Sequence, residues 1–293
     1  MKGIILAGGN GSRLYPITFG LSKQLLPVFD KPMIYYPLSI LMLADIREIM
    51  IITSSHFQNN FQTLLGSGEN FGVHIEYAVQ ENPNGIAEAF LIGKKFIGKD
   101  NVCLILGDNI FWGQGLSKML LKSKKNLKGA KIFAYQVKDP ERFGIIEIDN
   151  KNKVIDIEEK PKKPKSNYAV TGLYFYNNNV INFVKKVLPS SRGELEISSL
   201  NKFYIENETL EVELLGRGFT WFDTGTEKSL LEASIFIENI QKNQAFQIAC
   251  LEEIALLKGW ISSNKVLKKI ASYNYSNYYK YLSRFIKNSF LNK

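Results

Sequence analysis

Short apolar runs alternate with helix-period stretches along the first third of the chain. Ile4 to Ala7 has the length and β-branched content of a buried strand, and Met33 to Leu43 follows as a helix. Ile49 to Thr53 predicts a strand, Phe57 to Leu65 a helix, Ile75 to Val79 a strand, Gly85 to Phe96 a helix and Val102 to Leu106 another buried strand. Near-continuous apolar strands separated by helices belong to a parallel sheet covered on both faces.

The pattern then changes. Leu116 to Leu127 predicts a helix and Lys131 to Val137 a strand. Ile145 to Ile148 and Val154 to Ile157 flank the turn-rich Asp149-Asn150-Lys151-Asn152, which reads as a hairpin. Tyr168 to Tyr176 and Leu210 to Leu215 are further strands, with helical stretches at Glu194 to Tyr204 and Lys228 to Gln241. From Glu252 onward the pattern is helical and ends in the Tyr-rich run Tyr273 to Tyr281. The expected fold is one α/β domain with a mixed, mainly parallel central sheet flanked by helices, a small β-hairpin insertion and a helical C-terminal region.

Composition narrows the class. The 293 residues are 45% hydrophobic and 22% charged, the balance of a folded globular chain. The net charge of +9 fits nucleic acid, anionic lipid or a phosphorylated small substrate. The lysines of 122–131, 160–165 and 258–269 are dispersed, so solvated surface accounts for most of them. No nucleic-acid motif is present, which leaves +9 and the Tyr-rich tail as the whole case for a nucleic-acid partner. Cys103 and Cys250 are far apart and form no C-x-x-C pair, which fits a reducing, cytoplasmic compartment with Cys103 in the core. The first strand begins almost at once, leaving no room for a signal peptide, and no apolar run has membrane-spanning length.

Candidate chemistry begins after the first strand. Gly8, Gly9 and Gly11 allow a turn that brings backbone N–H groups close to an anion, and Arg13 and Lys23 add two cations suited to a polyphosphate. The spacing lacks the P-loop lysine, and Leu14 stands where a dinucleotide fingerprint needs its last glycine. A purely structural turn explains the glycines equally well. Asp108 follows the strand Val102 to Leu106, at the carboxyl end where α/β sheets bind ligands and where an Asp can hold Mg²⁺. It could equally cap a turn, and Asp223 could equally cap a helix near Lys228. Lys160 could receive a second phosphate and Glu159 a sugar hydroxyl, or both could be the solvated end of a strand. Glu194 and Glu196 could merely complement a helix N-terminus. His56 and His74 show no metal spacing with cysteine, and no G-x-S-x-G elbow supports Ser-His-Asp hydrolysis.

Together these segments resemble the sugar nucleotidyltransferases, from Met1 to about Trp260. The resemblance rests on 3–14, 22–27, 31–37, 106–109, 139–144, 158–161, 166–174, 192–197 and 221–226. The glycine-Arg signature marks the broad family, and the longer Tyr- and Asp-containing segments point to its thymidylyl branch. The resemblance implies a Rossmann-like transferase unit at 1–240, its nucleotide part at about 1–110 and its sugar-phosphate part at about 111–240. Residues 241–293 would be a helical appendage packing on the core or on a neighbouring subunit.

The implied reaction is dTTP plus α-D-glucose 1-phosphate giving dTDP-glucose and pyrophosphate, the entry to dTDP-L-rhamnose and related deoxysugars. Carried over, Gly8, Gly11, Arg13 and Lys23 would hold the triphosphate, with Gly9, Gln24 and Asp108 also in the nucleotide site. Gln80 and Gly85 would read the base, and Asp108 with Asp223 would bind Mg²⁺. Asn109, Gly144, Glu159, Lys160, Val170 and Trp221 would form the sugar-phosphate site, with Arg13, Lys23 and Lys160 catalytic. Glu253 and Ile254 would belong to a regulatory nucleotide site, and the assembly would be a homotetramer built as a dimer of dimers. Two positions depart from the family: Phe143 replaces a tyrosine, and Leu257 replaces an arginine near the regulatory segment. A uridylyl-, cytidylyl- or adenylyltransferase, and a non-catalytic sugar-nucleotide sensor, are the competing readings.

Overall fold

In the computed structural model, which describes residues 1–9, 11–273 and 276–291, the first apolar run is β1 (Lys2–Ala7). A short hairpin of β2 (Pro27–Val28) and β3 (Lys31–Pro32) follows, then α1 (Tyr35–Leu43), β4 (Glu48–Thr53), α2 (Gln58–Leu65) and β5 (His74–Val79). Two short helices, α3 (Glu88–Ile92) and α4 (Lys94–Ile97), lead to β6 (Val102–Leu106) and β7 (Asn109–Gly113). Next come α5 (Leu116–Lys125), β8 (Ala130–Gln136), the hairpin β9 (Gly144–Ile148) and β10 (Val154–Glu159), and β11 (Tyr168–Tyr176). The chain continues through α6 (Val180–Phe183), α7 (Ile197–Glu206), β12 (Leu210–Leu215), β13 (Phe219–Asp223) and α8 (Glu227–Gln244). It closes with α9 (Leu251–Leu257), α10 (Ser263–Ala271) and α11 (Asn277–Ile286). Asn10 of the glycine loop and Asn274 and Tyr275 of the Tyr-rich run lie outside the described residues.

The main sheet has nine strands, ordered β10-β9-β11-β6-β1-β4-β5, with β8 on the other side of β11 and β12 beyond it. β1, β4, β5 and β6 are parallel to one another, while β11 runs antiparallel to β6 and β8. Their side chains alternate between two cores. Ile5, Ile51, Cys103 and Ile105 face α1 and α9, whereas Ile4, Ile52, Leu104 and Tyr176 face α3, α6 and α7. Burial on both faces explains why these strands read as unbroken apolar runs. Helix α9 packs against α1 and places Leu251 and Ala255 in the first core, while α10 and α11 form a separate cluster with Cys250 and Leu256. Among the described residues, no helix is long and apolar enough to cross a membrane.

Two departures from the sequence pattern shape the site. The helix expected from Gly85 begins only at Glu88, because Gly85 holds φ +109 and packs so closely on the Leu195 backbone that a Cβ there would stand 2.4 Å from its carbonyl oxygen. The second departure is a ribbon that the periodicity did not reveal: β13 pairs antiparallel with β7, setting Asp223 directly across from Asn109.

Candidate active site

The carboxyl ends of β1, β5 and β6 converge on one cleft. A Cβ at Gly8 would lie 2.5 Å from Gln80 Oε1, so the turn after β1 approaches the end of β5 closely and a side chain there would displace the Gln80 amide. Gly11 takes φ +63 and its carbonyl accepts from Leu14 N at 2.9 Å and Thr18 Oγ1 at 2.8 Å. The buried Leu14 anchors this turn, leaving Arg13 exposed with its guanidinium against Gly225, where a Cβ would stand 3.0 Å from Nη2. Gln80 donates to Glu88 at 2.7 Å, and Ser22 Oγ donates to Gln24 Oε1 at 2.8 Å, so both amides are fixed in orientation.

Lys23, only 6% exposed, donates to Asp108 Oδ2 at 2.5 Å. Burial alone would push the Asp108 carboxyl up, but Lys23 and a hydrogen bond from Asn109 outweigh it and hold it below the usual aspartate value. Asp223, on the facing strand, is pushed up by burial and by the Asp108 charge, against the pull of Lys23, Arg13 and Arg142. The helix-cap reading of Asp223 fails here: Thr226 caps α8, accepting from Ser229 N at 3.2 Å. Two hard-oxygen carboxylates that repel each other are a fitting donor set for a divalent cation. Among the described residues no third His, Cys, Asp or Glu joins them. Water and phosphate oxygens would therefore complete the shell, the usual situation for Mg²⁺.

Asn109 is buried and spends its amide on protein partners. Its Oδ1 accepts from Trp221 Nε1 at 2.6 Å and from Gly172 N at 2.9 Å, while Nδ2 donates to Asp108 Oδ1 at 2.9 Å. The geometry makes it an internal post joining β7, β11 and β13, although it also borders the cleft. Gly172 marks where β11 passes from β6 to β9, and a Cβ there would meet Asn109 at 2.6 Å. A glycine inside a strand pattern signals such a close approach, and that signal could have identified Gly172 from sequence.

The other wall comes from the β9–β10 hairpin. Gly144 pairs across from Glu159, and a Cβ at Gly144 would stand 3.1 Å from Glu159 Oε2. Lys160 adopts φ +47 as the strand ends and donates its N–H to Phe143 O at 3.0 Å. Phe143 packs on Trp221 with ring centroids 5.2 Å apart. Arg192 bonds Glu196 at 2.8 Å and lies within 3.7 Å of Glu159 and Glu194, so these residues form a charge cluster; Glu196 also stands at the N-cap of α7, with no side-chain capping hydrogen bond. Arg142, Ile86, Ile197 and Ser198 also line this side, and none was singled out individually from the sequence.

These residues enclose a cavity of about 190 Å³ bordered by Gly144, Glu159, Lys160, Val170 and Trp221. On the glycine-loop side lie spaces of about 300 and 350 Å³, bordered by Gly9, Gln24, Gln80, Gly85 and Lys23. Arg13 and Asp108 border all three. Glu253 and Ile254 are elsewhere, on α9; Glu253 accepts from Tyr281 Oη at 2.6 Å and Ile254 packs on the first core.

Burial, then the Glu196 carboxylate, push Glu159 above the ordinary glutamate value, with Lys160, Arg192 and Ser198 opposing. A raised folded value means that its contribution to stability is present below the unfolded value and is lost as pH rises through the folded one. Acceptance of a substrate hydroxyl has the opposite sign, since it needs the carboxylate. If Glu159 accepts a hydroxyl of a bound substrate, kcat/KM for that substrate should fall on the acidic side at a higher pH than an ordinary glutamate would give. The residual activity of Glu159→Gln should lack that limb; an unchanged limb in this variant assigns it to another group.

Comparison with known proteins supplies the relatives. Residues 2–240 match the family model described as nucleotidyl transferase. A Neisseria meningitidis glucose-1-phosphate thymidylyltransferase is 56% identical over 287 residues, covering 98% of this chain and 100% of its own. The Mycobacterium tuberculosis protein of that name is 49% identical over 282 residues, covering 96% of this chain and 98% of its own. A Bacillus anthracis crystal structure, provisionally assigned as a glucose-1-phosphate thymidylyltransferase, superposes with a TM-score of 0.75 at 46% identity, covering 80% of this chain and 94% of its own.

Proposed function

The chain belongs to the nucleotidyl transferase family, and from that premise we propose that it transfers a thymidylyl group from dTTP to α-D-glucose 1-phosphate. A phosphate oxygen of the sugar forms a new bond to the α-phosphorus in line. The bond from that phosphorus to the β-bridging oxygen breaks, and pyrophosphate leaves with the electron pair. The nucleophile is already an anion, so the protein's task is to hold two mutually repelling phosphates together and aligned. The observation that carries this reading is the pair of cavities meeting at Arg13 and Asp108, with Lys23 behind one and Lys160 beside the other.

In this reading the backbone of Gly8, Gly9 and Gly11 with Arg13 and Lys23 cradles the triphosphate, Gln24 sits beside it, and Gln80 and Gly85 meet the base. Lys160 takes the sugar phosphate and Glu159 a hydroxyl, between Gly144, Val170 and Trp221; Asn109 positions Trp221 and Asp108. Asp108 and Asp223 would hold Mg²⁺, which supplies charge neutralisation of the phosphates when bound. Residues 1–240 are the transferase unit, with the helical appendage of 241–293 contributing α9, α10 and α11, and the assembly is a homotetramer. The product feeds the synthesis of dTDP-rhamnose and related deoxysugars. A titration with dTDP-rhamnose shows whether the α9 surface at Glu253 and Ile254 is regulatory.

The decisive experiment is pyrophosphate release across a matrix of nucleotides and sugar 1-phosphates. Fastest release with dTTP and glucose 1-phosphate is expected, and no release with any pair would leave a non-catalytic sensor. Thymine differs from uracil by one methyl, worth about 1–3 kcal/mol of discrimination. In direct competition dTTP should be favoured over UTP by about 10- to 100-fold; equal use would show that the methyl is not read, and a preference for UTP would move the chain to a uridylyl specificity class.

A further inference from the structure

The sugar-side cavity must accept a phosphate dianion while being lined by three carboxylates, Asp108, Asp223 and Glu159. Three cations face them: Arg13, Lys160 and Arg142. Arg13 also borders both spaces on the glycine-loop side, whereas Arg142 and Lys160 border neither. Asp108 already pairs with Lys23, and Arg192 lies 3.6 Å from Glu159, so those carboxylates have partners outside the lining cations. With Arg13 engaged by the triphosphate, Lys160 and Arg142 are the two lining cations left to meet the sugar phosphate. Lys160 has been assigned to it above, and Arg142 has not.

Its setting suits exchange of one anion for another. Arg142 ends the one-turn segment Pro140–Arg142 and pairs with Asp139 at 2.6 Å, with both side chains about two-fifths exposed (41% and 43%). Such a solvent-screened pair is held weakly. The guanidinium lies over the Phe143 ring at 5.2 Å, and that ring packs on Trp221 in the cavity wall. An aromatic shelf fixes the plane of the guanidinium, which prepares it for two-point contact with phosphate oxygens.

We propose that Arg142 is a binding residue for the sugar 1-phosphate: its guanidinium exchanges Asp139 for the phosphate and shares that anion with Lys160. The proposal rests on the transferase reading above. It also gives Asp139 a part, as a tether that competes with substrate.

Steady-state kinetics on the full chain test this. Arg142→Ala should raise KM for glucose 1-phosphate about 10- to 100-fold, the loss of a charge-assisted bidentate contact, with KM for dTTP within about 2-fold. Arg142→Lys should fall between, keeping charge but not the fork. Asp139→Asn should lower KM for glucose 1-phosphate by about 2- to 5-fold with kcat retained, since it releases the competitor. A merely structural role for the Asp139–Arg142 pair predicts the opposite sign for Asp139→Asn. Unchanged KM in Arg142→Ala, equal rises for both substrates, or a higher KM in Asp139→Asn overturns the proposal. A wild-type chain inactive on dTTP and glucose 1-phosphate would instead overturn the reading on which it rests.

Discussion

Arg13→Ala should lower turnover by about 10²–10³, the loss expected when one preorganised electrostatic donor is removed from a reacting phosphate. The side chain borders all three parts of the cleft and rests on Gly225 in the segment that also presents Asp223. It is exposed, while the adjacent Leu14 is fully buried and carries the packing of the turn. Stability should therefore change by no more than about 0.5 kcal/mol, and the defect should appear in kcat rather than in thermal unfolding. Arg13→Lys should recover part of the rate, because it keeps the charge without the planar fork. Near-normal turnover in Arg13→Ala would remove this residue from the mechanism.

The second large effect separates two aspartates that are proposed to share a metal ion but differ in environment. Asp108→Asn and Asp223→Asn should each weaken the response to Mg²⁺ and reduce activity, and an unchanged Mg²⁺ titration would count against both as ligands. Their stabilities should move in opposite directions in metal-free protein. Asp108 sits below its usual range beside Lys23, so its stabilising contribution is present above the unfolded aspartate value and lost as pH falls through the folded one. Replacing it leaves Lys23 buried without its partner, a loss of about 3–5 kcal/mol when a buried pair is broken.

Asp223 is raised, so its contribution favours folding at low pH and is lost as pH rises through its folded value. Asp223→Asn should therefore melt higher than the wild type at neutral pH while losing metal response, a site maintained at the expense of stability. Thermal unfolding of the two variants without metal, beside Mg²⁺ titrations of activity, checks the pair. Equal destabilisation of both would show that mutual repulsion is not what raises Asp223.

Several parts of this arrangement were open to a reading of the chain. The buried strands β1, β4 and β6 announced themselves because a sheet covered on both faces needs continuous apolar runs. Gly8 and Gly11 with Arg13 pointed to an anion because few other residues permit that turn. The ribbon of β7 and β13 was less visible: Asn109 and Asp223 are more than a hundred positions apart and only pairing across the cleft makes them neighbours. Periodicity reports what one element buries, not which distant element it will face.

The glycine-loop strand, the parallel half of the sheet and the identities of the cations were thus determined by sequence, through local sterics and the two-sided burial of short apolar runs. Tertiary structure decided the rest. It turned Asp223 from a helix cap into the partner of Asp108 because Thr226 takes the cap. It made Asn109 an internal post because Trp221 and Gly172 converge on its amide. It also brought Arg142 to the sugar side on the Phe143 shelf. Each of those outcomes depends on which charged and polar groups compete for one another across long sequence separations, and that competition exists only once the strands have assembled.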